Sequence, residues 1–327
     1  MSINWNSLAE RIGDHQNFIL CSHIRPDCDA LGSEIGLAGI LRKLGKNVRI
    51  VNGHPTPPNL AFLDPNGTIE VIHETVQPAD IDGDCFIVLD TSAWAQIGPM
   101  GDILRNFQGT KLCIDHHVGE DQLGTEFFKD TCAEATGHLV AKLAKHMQVE
   151  IDKPMATALY AAIATDTGWF RFGSTTPATY RIIAELLECG AVPAEIYGDL
   201  YEQDTIGRVR LRGRILARTQ AELDGKLVYT HVLKEDFDET GALPPDTEDA
   251  INLTLAIAGT QVAVIFVEQR EGGFKLSFRS RCAVDCSALA RMFNGGGHKA
   301  AAGAFLAGSL DEVQSQVLPA VRSAMSV

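Results

Sequence analysis

No stretch of this 327-residue chain reaches the roughly 20 consecutive apolar residues that cross a bilayer. Its N-terminal run, Met1-Ser-Ile-Asn-Trp-Asn, also lacks the basic and apolar segments of a secretory leader. Both absences point to a cytoplasmic chain with no membrane partner. Cations are scarce as well: 28 Lys and Arg stand against 42 Asp and Glu, a net charge of −14. That disfavours long duplex nucleic acid, whose affinity comes from neutralising many phosphates. A short anionic ligand needs only a local cationic cluster. The eight cysteines form no CxxC pair, which argues for buried thiols over a zinc ribbon or a disulfide framework.

Hydrophobic residues make up 45% and charged residues 21%, a globular balance in a chain long enough for two domains. Apolar runs at 17–23, 47–52, 85–90 and 111–115 alternate with helical periodicity, notably at 29–44 before Gly45, as in a parallel α/β sheet. Helical patterns follow at 132–147, 154–165 and 177–188, the last closed by Gly190. Pro193 opens another, and 205–219 carries Arg208, Arg210, Arg212, Arg214 and Arg218, which suit either a solvated face or phosphate contact. Strand-like runs at 227–232, 262–267 and 274–278, a helical stretch at 246–257 and a last helix at 310–325 complete a smaller α/β domain. The expected division is 1–190, a helical linker at 191–219, and 220–327.

Ionisable residues gather where the apolar runs end. His23, Asp27 and Asp29 follow the first, Asp90 the third, and Asp115, His116 and His117 the fourth, while Asp166 lies in Ala164-Thr-Asp-Thr-Gly168. In an open parallel sheet, ligands bind beyond the carboxyl ends of the strands, so these groups should converge. Their burial calls for a compensating charge. Carboxylate and imidazole donors without thiolate suit Mn²⁺ first, with Mg²⁺, Co²⁺ or Fe²⁺ as alternatives. Their number suits two ions bridged by one carboxylate, a pair that activates water to hydroxide for attack on phosphorus. Each residue alone has a plainer reading, and Asp29 could cap the helix that follows it. Gly295-Gly296-Gly297-His298 reads as a flexible turn or as a backbone anion nest, completed by Arg279 or Arg281.

These residues resemble a known family. HIRPDCDALGS at 23–33, Asp90 of VLD, DHH at 115–117 and TDTGWF at 165–170 are similar to the motifs of the DHH phosphoesterases, and GGGHKAAAG at 295–303 resembles the closing motif of the DHH-associated C-terminal domain. Length and domain pair are most similar to the branch that degrades short RNA and 3′-phosphoadenosine 5′-phosphate (pAp). The resemblance implies that His23 and Asp27 bind one metal ion, Asp29, His116 and Asp166 the other, and that Asp90 bridges them. His117 would face the scissile phosphate, with Asp115 orienting it. His298 with Arg279, or the neighbouring Arg281, would hold the substrate's far end, beside Gly295, Gly296 and Gly297. A second copy of the chain is a further candidate partner. Cys28 departs from the family's usual glycine, and its thiol is expected to turn away from the metals.

Other readings are a linear dinucleotide phosphodiesterase, a family II pyrophosphatase, a RecJ-type exonuclease and a non-catalytic nucleotide-binding module. The C-terminal GGGH speaks against the pyrophosphatase, the chain's length and acidity against the exonuclease, and the complete ligand set against the binding module.

Overall fold

A computed structural model describes residues 3–119, 121–247 and 249–326. It divides into two compact units, Met1–Gln203 and Asp204–Val327.

The first unit runs α1 (Trp5–Asp14), β1 (Asn17–Cys21), α2 (Cys28–Lys43), β2 (Asn47–Asn52), β3 (Glu70–Val71), β4 (Cys85–Leu89), α3 (Trp94–Ile97), α4 (Met100–Asn106), β5 (Thr110–Asp115), β6 (Glu126–Lys129), α5 (Thr136–His146), α6 (Lys153–Asp166), α7 (Pro177–Glu188) and α8 (Pro193–Tyr201). Its six strands are all parallel, in the order β3-β2-β1-β4-β5-β6. Chain order therefore reverses between β1 and β4. Alternate residues of these strands serve opposite faces: Phe18, Leu20, Ile87 and Leu89 join a core with α2, α5 and α6, while Ile19, Cys21, Phe86 and Val88 join one with α3 and α4. Helices on both faces explain why the strands read as nearly unbroken apolar runs.

Close approach of α2 and α6 depends on glycine. A Cβ at Gly32 would lie 2.4 Å from the Ala158 carbonyl oxygen, and one at Gly36 2.5 Å from Leu159. The N-terminal end of α2 thereby meets the C-terminal end of α6, which brings Asp29 and Asp166 to one place.

The second unit runs α9 (Ile206–Ala217), β7 (Gln220–Glu222), β8 (Leu227–Val232), α10 (Lys234–Thr240), α11 (Ala250–Leu255), β9 (Val262–Glu268), β10 (Phe274–Ser280), α12 (Cys286–Arg291), β11 (Gly296–His298), β12 (Ala301–Leu306) and α13 (Leu310–Met325). Its mixed sheet has the order β11-β12-β10-β9-β8-β7, with only β8 and β9 parallel. Val262, Val264 and Phe266 pack towards α12 and α13, whereas Ala263, Ile265 and Val267 pack towards α9 and α11.

Four expectations need adjustment. The stretch expected as a linker is divided, because α8 belongs to the first unit while α9 buries Leu211 and Ile215 in the core of the second. Four of the five arginines at 208–218 are engaged with carboxylates of their own unit: Arg208 and Arg212 pair with Asp204, and Arg214 and Arg218 with Asp236. Helix α5 begins at Thr136 rather than 132, since the preceding residues form a turn with its own polar duties. Of the helical stretch expected at 246–257, residue 248 lies outside the described residues, and α11 covers Ala250–Leu255.

Candidate active site

The reversal of chain order between β1 and β4 leaves a crevice beyond their carboxyl ends, the place where open α/β sheets bind ligands. His23 follows β1 and Asp90 follows β4, on either side of that crevice, and Asp115, His116 and His117 follow from β5 beside it. Asp90 has a positive φ of 59°, in the left-handed region that side chains rarely adopt. Such strain persists only where surrounding structure holds it, and here the Asp90 N–H donates to the Ile114 carbonyl at 3.0 Å.

Three groups of side chains gather there, each with its donor atoms within 4.8 Å of one another: His23, Asp27 and Asp90; Asp29, His116 and Asp166; and Asp90, His116 and His117. Asp90 divides its two oxygens between them. Its Oδ2 lies 3.5 Å from Nε2 of His23, and its Oδ1 lies 3.5 Å from Nε2 of His116. Nε2 of His116 is also 3.7 Å from Asp29 and 3.5 Å from Asp166, and Nε2 of His23 is 3.7 Å from Asp27. These separations exceed hydrogen-bond length.

The tautomers follow from the opposite edges of the rings. Nδ1 of His23 faces the Ile24 carbonyl at 3.0 Å, and Nδ1 of His116 faces that of Ala133 at 3.2 Å. A carbonyl can only accept, so each Nδ1 carries a proton, and in the neutral ring each Nε2 turns a lone pair towards carboxylate oxygens. Those facing acceptors call for a positive charge, either a proton on Nε2 or a cation between them. A histidine whose far nitrogen is tied to a carbonyl is the usual form of a metal ligand. The donor chemistry therefore fits divalent cations, which His23, Asp27 and Asp90 could hold on one side and Asp29, His116 and Asp166 on the other.

The proton equilibria reflect the same crowding. Burial disfavours the His23 cation, yet the Asp27 and Asp90 carboxylates facing Nε2 outweigh it and raise its pKa to about 11, so in the metal-free protein a proton takes the place a cation would fill. Burial and the charges of Asp90 and Asp166 push Asp29 well above the usual carboxylate range. Asp166 rises to about 6 through burial and the charges of Asp90 and Asp27, against the pull of His116. Glu34, fully buried behind the site and hydrogen-bonded by Asn52 at 2.9 Å, is raised by burial to about 7.

Asp115 serves differently. It is fully buried, and its Oδ1 accepts from the backbone N–H of His117 at 3.1 Å and from Nδ1 of the same residue at 2.8 Å. That leaves Nε2 of His117 for the cavity of about 450 Å³ lined by His23, Asp27, Asp90, Gln96 and His117. The helix cap is Asp27 rather than Asp29: its Oδ1 accepts from the N–H groups of Asp29 and Ala30 at 3.0 and 3.1 Å. Cys28 begins α2 with its side chain in the core, where burial pushes the thiol up to about 12. No thiolate joins the three groups among the described residues.

Sequence reasoning overlooked the segment from Ala133 to Gly137, which holds three of the expected ligands. The Ala133 carbonyl accepts from His116, the Thr136 hydroxyl donates to Asp90 at 2.9 Å, and the N–H groups of Thr136 and Gly137 donate to Asp29 at 2.7 and 2.8 Å. These are the unpaired amides at the start of α5, whose dipole favours the Asp29 charge. The only signal was Thr-Gly at a helix start, which by itself reads as an ordinary cap.

In the second unit, β10 and β11 flank β12, and Arg279 and His298 both pair with Ala301. Paired residues share a sheet face, so the guanidinium and the imidazole flank one small residue, about 10 Å apart across two strand spacings. Arg281 lies one residue beyond β10 and is exposed. The glycine run is an edge strand rather than the loop that an anion nest would require. Its glycines serve strand contact: a Cβ at Gly295 would lie 2.2 Å from the Gly303 oxygen, and one at Gly297 2.6 Å from that of Ala301.

Residues 17–163 match the N-terminal domain of the DHH family, and residues 224–325 match the DHHA1 domain. The chain belongs to the DHH family, a family of phosphoesterases. It is 33% identical to the bifunctional oligoribonuclease and PAP phosphatase NrnA of Thermus thermophilus, over 94% of this chain and 90% of that protein. An exopolyphosphatase-related protein from Bacteroides fragilis has a similar crystal structure, with a TM-score of 0.82, 27% identity and coverage of 98% and 95% of the two chains. The exonuclease RecJ, solved with manganese bound, shares the fold at a TM-score of 0.55 and 13% identity, over 98% of this chain and 96% of that one. Among the described residues, no helix is long and apolar enough to cross a membrane.

Proposed function

We propose that this phosphoesterase hydrolyses short oligoribonucleotides and pAp with two divalent cations, Mn²⁺ foremost. The observation that carries the reading is Asp90, whose two oxygens face two different histidine Nε2 atoms, each accompanied by further carboxylates. The substrate class is supported by the NrnA relative, whose name states both activities. His23, Asp27 and Asp90 would hold one ion and Asp29, His116 and Asp166 the other, with Asp90 common to both. When bound, such a pair neutralises phosphate charge and lowers the pKa of water, the chemistry a phosphodiester needs.

The chain's own residues have separate tasks. Asp115 accepts the Nδ1 proton of His117, so that Nε2 is directed outward to contact the scissile phosphate. Thr136 fixes the rotation of the Asp90 carboxylate by donating to one of its oxygens. In the second unit, the Arg279 guanidinium and the His298 imidazole provide a face of hydrogen-bond donors, floored by Ala301, Gly296 and Gly303, that suits a terminal phosphate or a base, with Arg281 at its margin.

The test is purified protein with Mn²⁺, challenged in parallel with labelled two- to five-mers, pAp and pyrophosphate. Release of mononucleotide from the oligomers and of phosphate from pAp is expected. Turnover of pyrophosphate alone would overturn the reading.

A further inference from the structure

We propose that Lys129 is a positioning residue for His117, acting through Asp115 and the Gly119 carbonyl. The proposal rests on the role for His117 given above. Lys129 ends β6, the edge strand, and is paired in register with Asp115 on β5, so the two side chains project on the same face. A lysine at a sheet edge ordinarily points to solvent. Here its side chain is only 10% exposed and that of Asp115 is fully buried. The ammonium lies 3.1 Å from Oδ2 of Asp115 and 2.6 Å from the Ser92 hydroxyl, and it also donates to the carbonyl of Gly119. All three of its protons are used.

These contacts reach both supports of the His117 ring. One is Asp115, whose Oδ1 accepts the Nδ1 proton while Ser92 and Lys129 hold its Oδ2, the hydroxyl at 2.7 Å. The other is the loop that leaves His117, for Gly119 lies two residues on and its carbonyl is gripped by both Lys129 and Ser92. A buried carboxylate beside a histidine could equally rotate and draw the imidazole off line. A fixed ammonium on its far oxygen holds Asp115 still, so its remaining acceptor stays aimed at Nδ1. None of the four expected metal-ligand aspartates has such a cation, because their ion-pair partners among the described residues are histidines. The lysine thus supports the histidine and leaves the cation groups untouched.

The test compares Lys129→Met, His117→Ala and the double variant, alongside ring ¹⁵N spectra of the metal-free proteins. Lys129→Met should lower kcat by about tenfold to a hundredfold, the usual effect of removing an outer support. KM and bound metal should stay unchanged, the His117 Nδ1–H signal should broaden or vanish, and no further loss should appear in the His117→Ala background. An unchanged signal with unchanged kcat, or the same loss in both backgrounds, would overturn the proposal. If Lys129→Met does not fold, Ser92→Ala decides by the same measurements: loss of the Nδ1–H signal supports the network, and its persistence with full kcat refutes it. Full activity in His117→Ala would instead refute the role assigned to His117, while the spectra would still report whether Lys129 holds the ring.

Discussion

The two units assemble polar side chains by different means. In the first, residues from 23 to 166 converge because parallel strands all deliver their carboxyl ends to one edge and α6 ends at the same place. In the second, Arg279 and His298 come together because two strands flank a third in register on one sheet. The first arrangement buries charge and needs a compensating cation. The second leaves Arg279 partly exposed and His298 fully exposed on a floor of small residues. Convergence by topology suits chemistry, where acceptors must be forced together, whereas convergence by register suits a surface that receives a ligand.

Substitutions can break that contrast. Asp90→Asn should have the largest effect, because an amide supplies one neutral oxygen where two charged ones face the histidines. Activity should fall by more than about a hundredfold, beyond the losses of roughly 10 to 100-fold seen for outer contacts. Bound metal should fall with it while the circular dichroism spectrum is retained. Wild-type turnover in this variant would remove the shared-ligand assignment. His298→Ala should lower kcat/KM by about tenfold to a hundredfold, the worth of a charge-assisted hydrogen bond to phosphate. Its metal content should be unchanged, and a small activated phosphodiester should be cleaved almost normally; loss of metal would erase the distinction between the units. Thr136→Val removes only the hydroxyl at Asp90, so a loss of about tenfold in kcat is expected, checked by steady-state kinetics at saturating Mn²⁺.

The smallest effect concerns stability in a chelator. Asp166 and Glu34 are raised to about 6 and about 7, Asp29 is raised well above its ordinary value, and His23 is raised to about 11. In each case the folded chain binds the proton more tightly than the unfolded chain, so stability falls as pH rises through these values. His231, lowered by burial, works the other way, while carboxylates lowered by their partners already contribute fully by pH 5. From pH 5 to pH 8 the metal-free protein should lose stability, read as a falling Tm by calorimetry. Saturating Mn²⁺ should flatten the slope, and a Tm that climbs over this range in chelator would show that the acceptors are not crowded as described.

Much of the first unit was legible in advance, because strands buried on both faces are unmistakable as apolar runs and their ends are where ligands gather. Asp90, His116 and His23 were readable on that basis as groups at strand ends, whereas the division of ligands between two ions came only from the family resemblance. The short strands β3, β6 and β7 were not, since two to four residues carry too little periodicity. Lys129 was missed for the same reason: on β6 it reads as an edge lysine, and only pairing with β5 turns it inward onto Asp115. Thr136 and Gly137 read as an ordinary helix start, and the glycine run as a loop, because strand pairing with β12 is a non-local contact.

By itself the sequence determined the class of chemistry, since carboxylates and imidazoles at strand ends, without thiolates, can be reconciled with burial only around hard cations. It also determined the alternation of strands and helices, which is local. Tertiary structure alone decided which acceptor faces which. The left-handed turn at Asp90, the tautomers of His23 and His116, and the amides of α5 on Asp29 all depend on neighbours distant in the chain, and no local propensity encodes them.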